Sequence, residues 1–203
     1  MDSLYDASND SISKVVEEVK ACRRCRLVEY RSNAVPGEGA YDSKIMFIGE
    51  APGRTEDTLA RPFVGSAGRV LDHALARAGI DRASVYITNI VKCRPPMNRR
   101  PRKDEINSCM PYLMREIMLV NPKIVCLLGR TAHDTLLKGS FREHMSRYVK
   151  RDGRLFFTTY HPAYVIYNNK LKEIFIRDII SIKKMVNAMN NNDDNDDKIV
   201  NDG

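Results

Sequence analysis

The amino-acid sequence predicts an α/β fold: a three-layer α/β/α arrangement around a central, mostly parallel four-stranded sheet. Two observations carry this. Four short apolar runs, at residues 45–48, 85–91, 124–128 and 155–159, have no polar alternation, as expected of strands buried on both faces. Helical patterns fall between them, and strands alternating with helices give a sheet covered on each side.

The elements follow in order. Ile12, Val15, Val16 and Val19 share one face of a short helix leading into Cys22. After the first run, Val70, Leu71, Ala74, Leu75 and Ala78 mark a helix closed by Gly79. Ile106, Met110, Leu113 and Ile117 mark another. A final helix over about 171–189 carries Ile174, Phe175, Asp178, Ile179 and Ile182 at spacings of three and four. Residues 1–189 read as one domain, and 190–203, rich in Asn and Asp, as a disordered acidic tail.

The formal charge is +7, and because the tail holds five Asp against one Lys, residues 1–189 carry +11. Such a surplus suits a phosphate backbone, since each neutralised phosphate releases counterions. The N-terminal residues have neither a basic nor an apolar leader region and no stretch is long enough to span a bilayer, which predicts an intracellular protein without a membrane partner.

In doubly covered parallel sheets, ligands bind beyond the carboxyl ends of the strands. The segments just after the four runs are Gly49-Glu50-Ala51-Pro52-Gly53, Asn89 with its following loop, Gly129-Arg130, and His161-Pro162-Ala163. Glycines in the first permit close backbone approach to a ligand. Asn89 is unusual in a strand because a buried amide needs partners, which a substrate would supply. Phe63, in a Gly/Pro-flanked loop, is either core or a platform for a stacked base.

Cys22 and Cys25 form a CxxC, while Cys93 and Cys109 have 15 residues between them, on either side of a basic loop. Four thiolates hold either tetrahedral zinc or an iron–sulfur cluster, and spacing alone leaves the two open. Cys126, in an apolar run, reads as a core thiol. Residues 92–103 (KCRPPMNRRPRK) hold six cations, three prolines and no acid, so they form a basic loop whose ends a metal site would clamp.

Taken together, Gly49-Glu-Ala-Pro-Gly53, Arg61-Pro-Phe-Val-Gly65, Thr88-Asn89, Lys92-Cys93-Arg94-Pro95-Pro96, Cys109 and Thr159-Tyr-His-Pro-Ala163 closely resemble the family 4 uracil-DNA glycosylases, over about residues 20–190. The resemblance implies a [4Fe-4S] cluster on Cys22, Cys25, Cys93 and Cys109. It implies hydrolytic excision of uracil from DNA by base flipping, with Glu50 and His161 catalytic and Ala51, Glu56, Phe63, Asn89 and His161 binding the base. Phe63 would stack on uracil, Asn89 would bind its N3–H and O4, and His161 its O2. Glu56 would exclude thymine by crowding C5, and Glu50 would activate water. The DNA-contacting set would be Lys92, Arg94, Arg99, Arg100, Arg102 and Lys103 on the basic loop, with Tyr164 and Tyr167 in the wedge.

The partners implied are uracil-containing DNA and, as for repair enzymes generally, a sliding clamp, although no docking motif stands out; the chain is expected to be a monomer. Three features depart from the family pattern. Tyr167 stands where an arginine is usual, Ala60 where a glycine is common, and the basic loop lacks the histidine with which one branch of the superfamily traps DNA covalently. The competing readings are a non-catalytic iron–sulfur DNA-binding module of the same fold and a nucleotide-binding α/β enzyme. The first has no reason to keep Glu50, Asn89 and His161 together, and the second lacks any phosphate-loop or dinucleotide fingerprint.

Overall fold

The structure, a computed structural model, describes residues 10–200, with side chains through residue 191. Its sheet has six strands rather than the four expected, in the order β1-β3-β2-β4-β6-β5. The expected four are β2 (Ile45–Gly49), β3 (Tyr86–Asn89), β4 (Ile124–Leu128) and β6 (Arg154–Thr159), all parallel. The two missed strands, β1 (Glu38–Gly39) and β5 (Tyr148–Arg151), pair antiparallel at the edges. Neither has an apolar run: β1 is Glu-Gly, and β5 is YVKR with half its residues exposed. Edge strands carry charge because an apolar edge invites pairing with another chain.

Side chains alternate across the sheet, so successive residues of one strand enter opposite cores. Ile45, Phe47, Ile124, Cys126, Leu128 and Phe157 pack with α3 (Ser66–Arg77), α7 (Pro162–Val165) and α8 (Asn169–Val200). Met46, Ile48, Val125, Leu127 and Phe156 pack with α1 (Ile12–Ala21), α4 (Lys103–Val120) and α5 (Arg130–Leu136). Cys126 is fully buried, as its apolar neighbours predict. Ser11 caps α1, its hydroxyl accepting the Lys14 N–H at 3.2 Å.

Two short helices, α2 (Arg54–Leu59) and α6 (Phe141–His144), complete the set. Ala60, which caps α2, has φ +54°, the left-handed region that explains why glycine is common there. Of residues 190–203, expected to form an acidic tail, the structure describes the backbone of α8 through Val200, and residues 201–203 lie outside the described residues. Among the described residues no helix is long and apolar enough to cross a membrane.

Lys92 corrects the sequence reading. It is not a DNA contact but a buried cation, 1% exposed, ion-paired at 2.6 Å with the wholly buried Glu116 of α4. Its ammonium also donates to the Thr88 hydroxyl and, at 2.9 Å, to the Asn89 carbonyl. Glu116 accepts in addition from the Gly37 N–H, the Thr88 hydroxyl and the Tyr86 hydroxyl. Burial and the neighbouring Glu116 push the Tyr86 phenol strongly up, so it remains a donor. This network ties β1, β3 and α4 together directly behind Asn89.

Removing one partner of a buried pair leaves an uncompensated charge, which costs about 3–5 kcal/mol. Lys92→Met is therefore expected to lower unfolding free energy by about that amount in denaturant titrations, and Lys92→Met/Glu116→Leu to recover only part of it, since it removes the uncompensated charge but leaves the Gly37 N–H and the Thr88 and Tyr86 hydroxyls without their acceptor. Equal stability of the single variant and the parent would show that the pair contributes nothing.

Candidate active site

Four loops converge at the carboxyl ends of β2, β3, β4 and β6, as the sequence argument requires. They line a cleft of about 1120 Å³. The structure brings Glu50, Ala51, Glu56, Phe63, Asn89 and His161 together on its walls, with Arg99, Arg100 and Tyr164 at the same cleft. Lys92 is behind it, and Arg94, Arg102, Lys103 and Tyr167 do not line it.

Phe63 is 4% exposed and has φ +52°, a conformation that costs a non-glycine residue about 1 kcal/mol or more. Surrounding contacts hold it. Glu56 accepts the Val64 and Gly65 N–H groups at 3.1 and 2.7 Å, and Arg82 donates to the Pro62 carbonyl at 2.8 Å. Glu56 thus stands on the cleft wall with one oxygen committed to this loop. Arg61 forms a bidentate pair with Glu38 at 2.7 and 2.6 Å, anchoring the loop to β1.

The Phe63 ring lies 5.9 Å from the His161 ring, inclined at 36°. Asn89 approaches the same point, because a β-carbon on Gly49 would stand 2.4 Å from the Phe63 ring and 2.5 Å from Asn89 Oδ1. His161 is positioned from two sides. The Thr159 carbonyl accepts the Gly129 N–H at 2.9 Å, and the Thr159 hydroxyl donates to Asp178 of α8 at 2.6 Å.

His161 also caps α7, its Nδ1 accepting the Ala163 N–H at 3.2 Å. A neutral imidazole has one acceptor nitrogen, so the proton sits on Nε2. Burial lowers the His161 pKa to about 4, with Glu56 opposing weakly, and keeps the ring neutral. Nε2 is buried without a hydrogen-bond partner, and so is Asn89 Oδ1. One unpaired donor and one unpaired acceptor therefore flank a single aromatic ring.

Glu50 accepts at Oε2 from the Thr131 hydroxyl, with Arg100 Nε 3.7 Å away. Arg99 forms a bidentate pair with buried Glu105 at 2.6 and 2.8 Å, so its guanidinium holds the loop to α4. The Arg94 guanidinium contacts Asn98 Oδ1 at 2.7 Å, while Arg100, Arg102, Lys103, Tyr164 and Tyr167 are exposed.

The four expected cysteines gather on one sheet face, apart from Cys126 on the other. Arg31 joins them, donating to Cys93 Sγ at 2.9 Å and to the Cys22 carbonyl at 2.7 Å; Cys109 Sγ accepts the Lys92 N–H at 3.2 Å. Burial pushes the Cys109 thiol up to about 12 and raises Cys93 and Cys25. Among the described residues no three His, Cys, Asp or Glu side chains form a set able to hold one metal ion.

Sequence reasoning missed Thr131, Arg82, Asp57 and Glu116. Asp57 is buried and accepts the Ser32 and Asn33 N–H groups, fixing the segment before β1. Their partners lie far away in sequence, so no local pattern marks them, although Glu116 stands on the apolar stripe of α4 where an acid is anomalous.

The family model for the uracil DNA glycosylase superfamily matches residues 36–181. The chain is 44% identical over 189 residues to a type-4 uracil-DNA glycosylase of Sulfurisphaera tokodaii, covering 87% of this chain and 85% of that one. It is 40% identical to the type-4 enzyme of Saccharolobus solfataricus, with 88% of each chain covered, and 40% identical to that of Thermotoga maritima, with 85% and 93% covered.

The His161 geometry has a direct spectroscopic consequence. Nitrogen-detected NMR at neutral pH should show a protonated Nε2 and bare Nδ1, with titration only near a pKa of about 4. Because that pKa is depressed from 6.5, the stability His161 contributes is complete above 6.5 and is lost as pH falls through about 4. Titration at 6 or above would contradict the buried, neutral ring.

Proposed function

The chain belongs to the uracil-DNA glycosylase superfamily and to its type-4 group, and from that premise we propose that it is a DNA-repair hydrolase that cuts the N-glycosidic bond of uracil in DNA. The observation that carries the reading is the pair of unpartnered atoms. Asn89 Oδ1 needs a donor and His161 Nε2–H needs an acceptor. Uracil offers both on adjacent ring positions, N3–H and O2.

Phe63 stacks on the extruded base, and the Asn89 amide donates to O4 while its Oδ1 accepts N3–H. Cytosine has a bare N3 and an amino group at these positions, so Asn89 meets it with donor and acceptor reversed. Glu56, on the wall of the same cleft, crowds the C5 side where thymine carries a methyl group. As the bond breaks, negative charge grows on uracil and positive charge on the sugar. The neutral His161 donor at O2 therefore strengthens in the transition state, and the carboxylate of Glu50 orients the attacking water and favours the cationic sugar.

The residues around the four thiols fit an iron–sulfur cluster. The donor set is entirely thiol, and Arg31 and the Lys92 amide already donate to two of the sulfurs, as they would to thiolates. Four thiolates about one zinc each lie about 2.3 Å from it, whereas a cubane gives every thiolate its own iron and needs a wider set. Cys22, Cys25, Cys93 and Cys109 would hold a [4Fe-4S] cluster, which when bound supplies a structural clamp on both ends of the basic loop. Arg100, Arg102, Lys103 and Arg94 grip phosphates, and Tyr164 and Tyr167, 69% and 94% exposed, form the wedge.

The test is incubation with an oligonucleotide containing one uracil, followed by alkali. Strand scission at the uracil is expected, and an intact strand would reject the reading. His161→Ala should lower the single-turnover rate by about 100-fold or more with DNA affinity little changed. Anaerobically purified protein should be yellow-brown with absorbance at about 400 nm; a colourless sample with stoichiometric zinc would reject the cluster.

A further inference from the structure

Among the described residues the Glu50 carboxylate makes its polar contacts through Oε2. That oxygen accepts the Thr131 hydroxyl, and Thr131 Oγ1 in turn accepts from Arg100 Nε at 3.1 Å and Nη2 at 2.8 Å. The direction of this chain is fixed by its ends. A guanidinium only donates, so it occupies the lone pairs of the Thr131 oxygen, and the single hydroxyl proton has to point to the acceptor, the Glu50 carboxylate. Oε1 is left for water.

Both other members are held in place. Thr131 is 8% exposed and sits in the first turn of α5, where the Thr135 hydroxyl donates to its carbonyl at 2.7 Å. Arg100 is 63% exposed at its side chain, but its carbonyl accepts from Arg99, which is clamped on Glu105. A carboxylate on a glycine-rich turn has rotamer freedom that works against a fixed water, and this chain removes it.

We infer that Thr131 is a positioning residue for Glu50, its hydroxyl holding the carboxylate with Oε1 toward the water while Arg100 fixes the hydroxyl's direction. The inference rests on the reading of Glu50 as the water-orienting group. It assigns to α5, which supplies none of the base-binding residues proposed above, a part in the chemical step.

The experiment measures single-turnover kcat and half-saturating DNA concentration on the full-length holoenzyme. Thr131→Val keeps the shape and deletes the hydroxyl, and should lower kcat about 10- to 100-fold with the half-saturating concentration within about twofold. Thr131→Ser should restore the rate to within about threefold, which a purely structural role for the β-branched side chain would not allow. Should Thr131→Val fail to fold, Thr131→Ala carries the same expectation.

In the background of Glu50→Gln, Thr131→Val should add no further loss, because both act through one group. An unchanged kcat in Thr131→Val, a Ser variant as slow as Val, or losses that multiply in the double variant would each overturn the inference. If Glu50→Gln itself retains full rate, the reading of Glu50 fails; if it is slow while Thr131→Val is not, the inference fails alone.

Discussion

A β-carbon at Gly49 would lie 2.4 Å from the Phe63 ring and 2.5 Å from Asn89 Oδ1, and one at Gly129 would lie 2.8 Å from His161 Cβ. These separations are far inside van der Waals contact. The ring, the amide and the imidazole can meet only because β2 and β4, the two central strands of the sheet, give way to glycine at their carboxyl ends. At 129 the backbone also takes φ +89°, which other residues rarely adopt. The cleft is therefore made by side chains that are missing as much as by those that line it.

Its polarity has a cost that the rest of the fold offsets. An unsatisfied buried donor or acceptor costs about 1–3 kcal/mol, and the site keeps two, with a strained Phe63 between them. Each is held by an independent set of bonds. Glu56 and Arg82 fix the Phe63 loop, the Lys92–Glu116 pair backs Asn89, and Asp178 secures Thr159 two residues before His161. Folding alone gives no reason to leave those atoms unpaired, but a ligand with a donor beside an acceptor does.

The four central strands were legible because burial on both faces leaves an uninterrupted apolar run, and the cleft positions of Glu50 and His161 because they come just after such runs; Phe63 and Glu56 lie farther along the chain, and it was the family resemblance that pointed to their roles. The two edge strands carry no such signal. Lys92 was misread because a charged run suggests a solvated face, yet this lysine follows Ile90-Val91 and turns inward to an acid 24 residues on. The clue was on the other partner: Glu116 and Asp178 each stand among the apolar positions of their helices, where an acid implies a buried counterpart. Arg99 shows the same limit, since its pairing with Glu105 depends on a turn whose shape no local pattern predicts.

On the proposed reading, the base pocket and the DNA grip hang from different parts of the molecule. Phe63, Asn89 and His161 are supported by the sheet and by α8, whereas the cationic residues lie on the basic loop that runs from Cys93 into the first residue of α4, the helix that carries Cys109. Clamping such a loop at its ends reduces the entropy lost on meeting a phosphate backbone and leaves the pocket walls unaffected. The two systems touch where Arg100 reaches Thr131 and, through it, Glu50. The group proposed to meet DNA thereby also fixes the direction of a bond to the carboxylate proposed to orient water, so that on this reading grip and chemistry, separately supported elsewhere, share one hydroxyl proton.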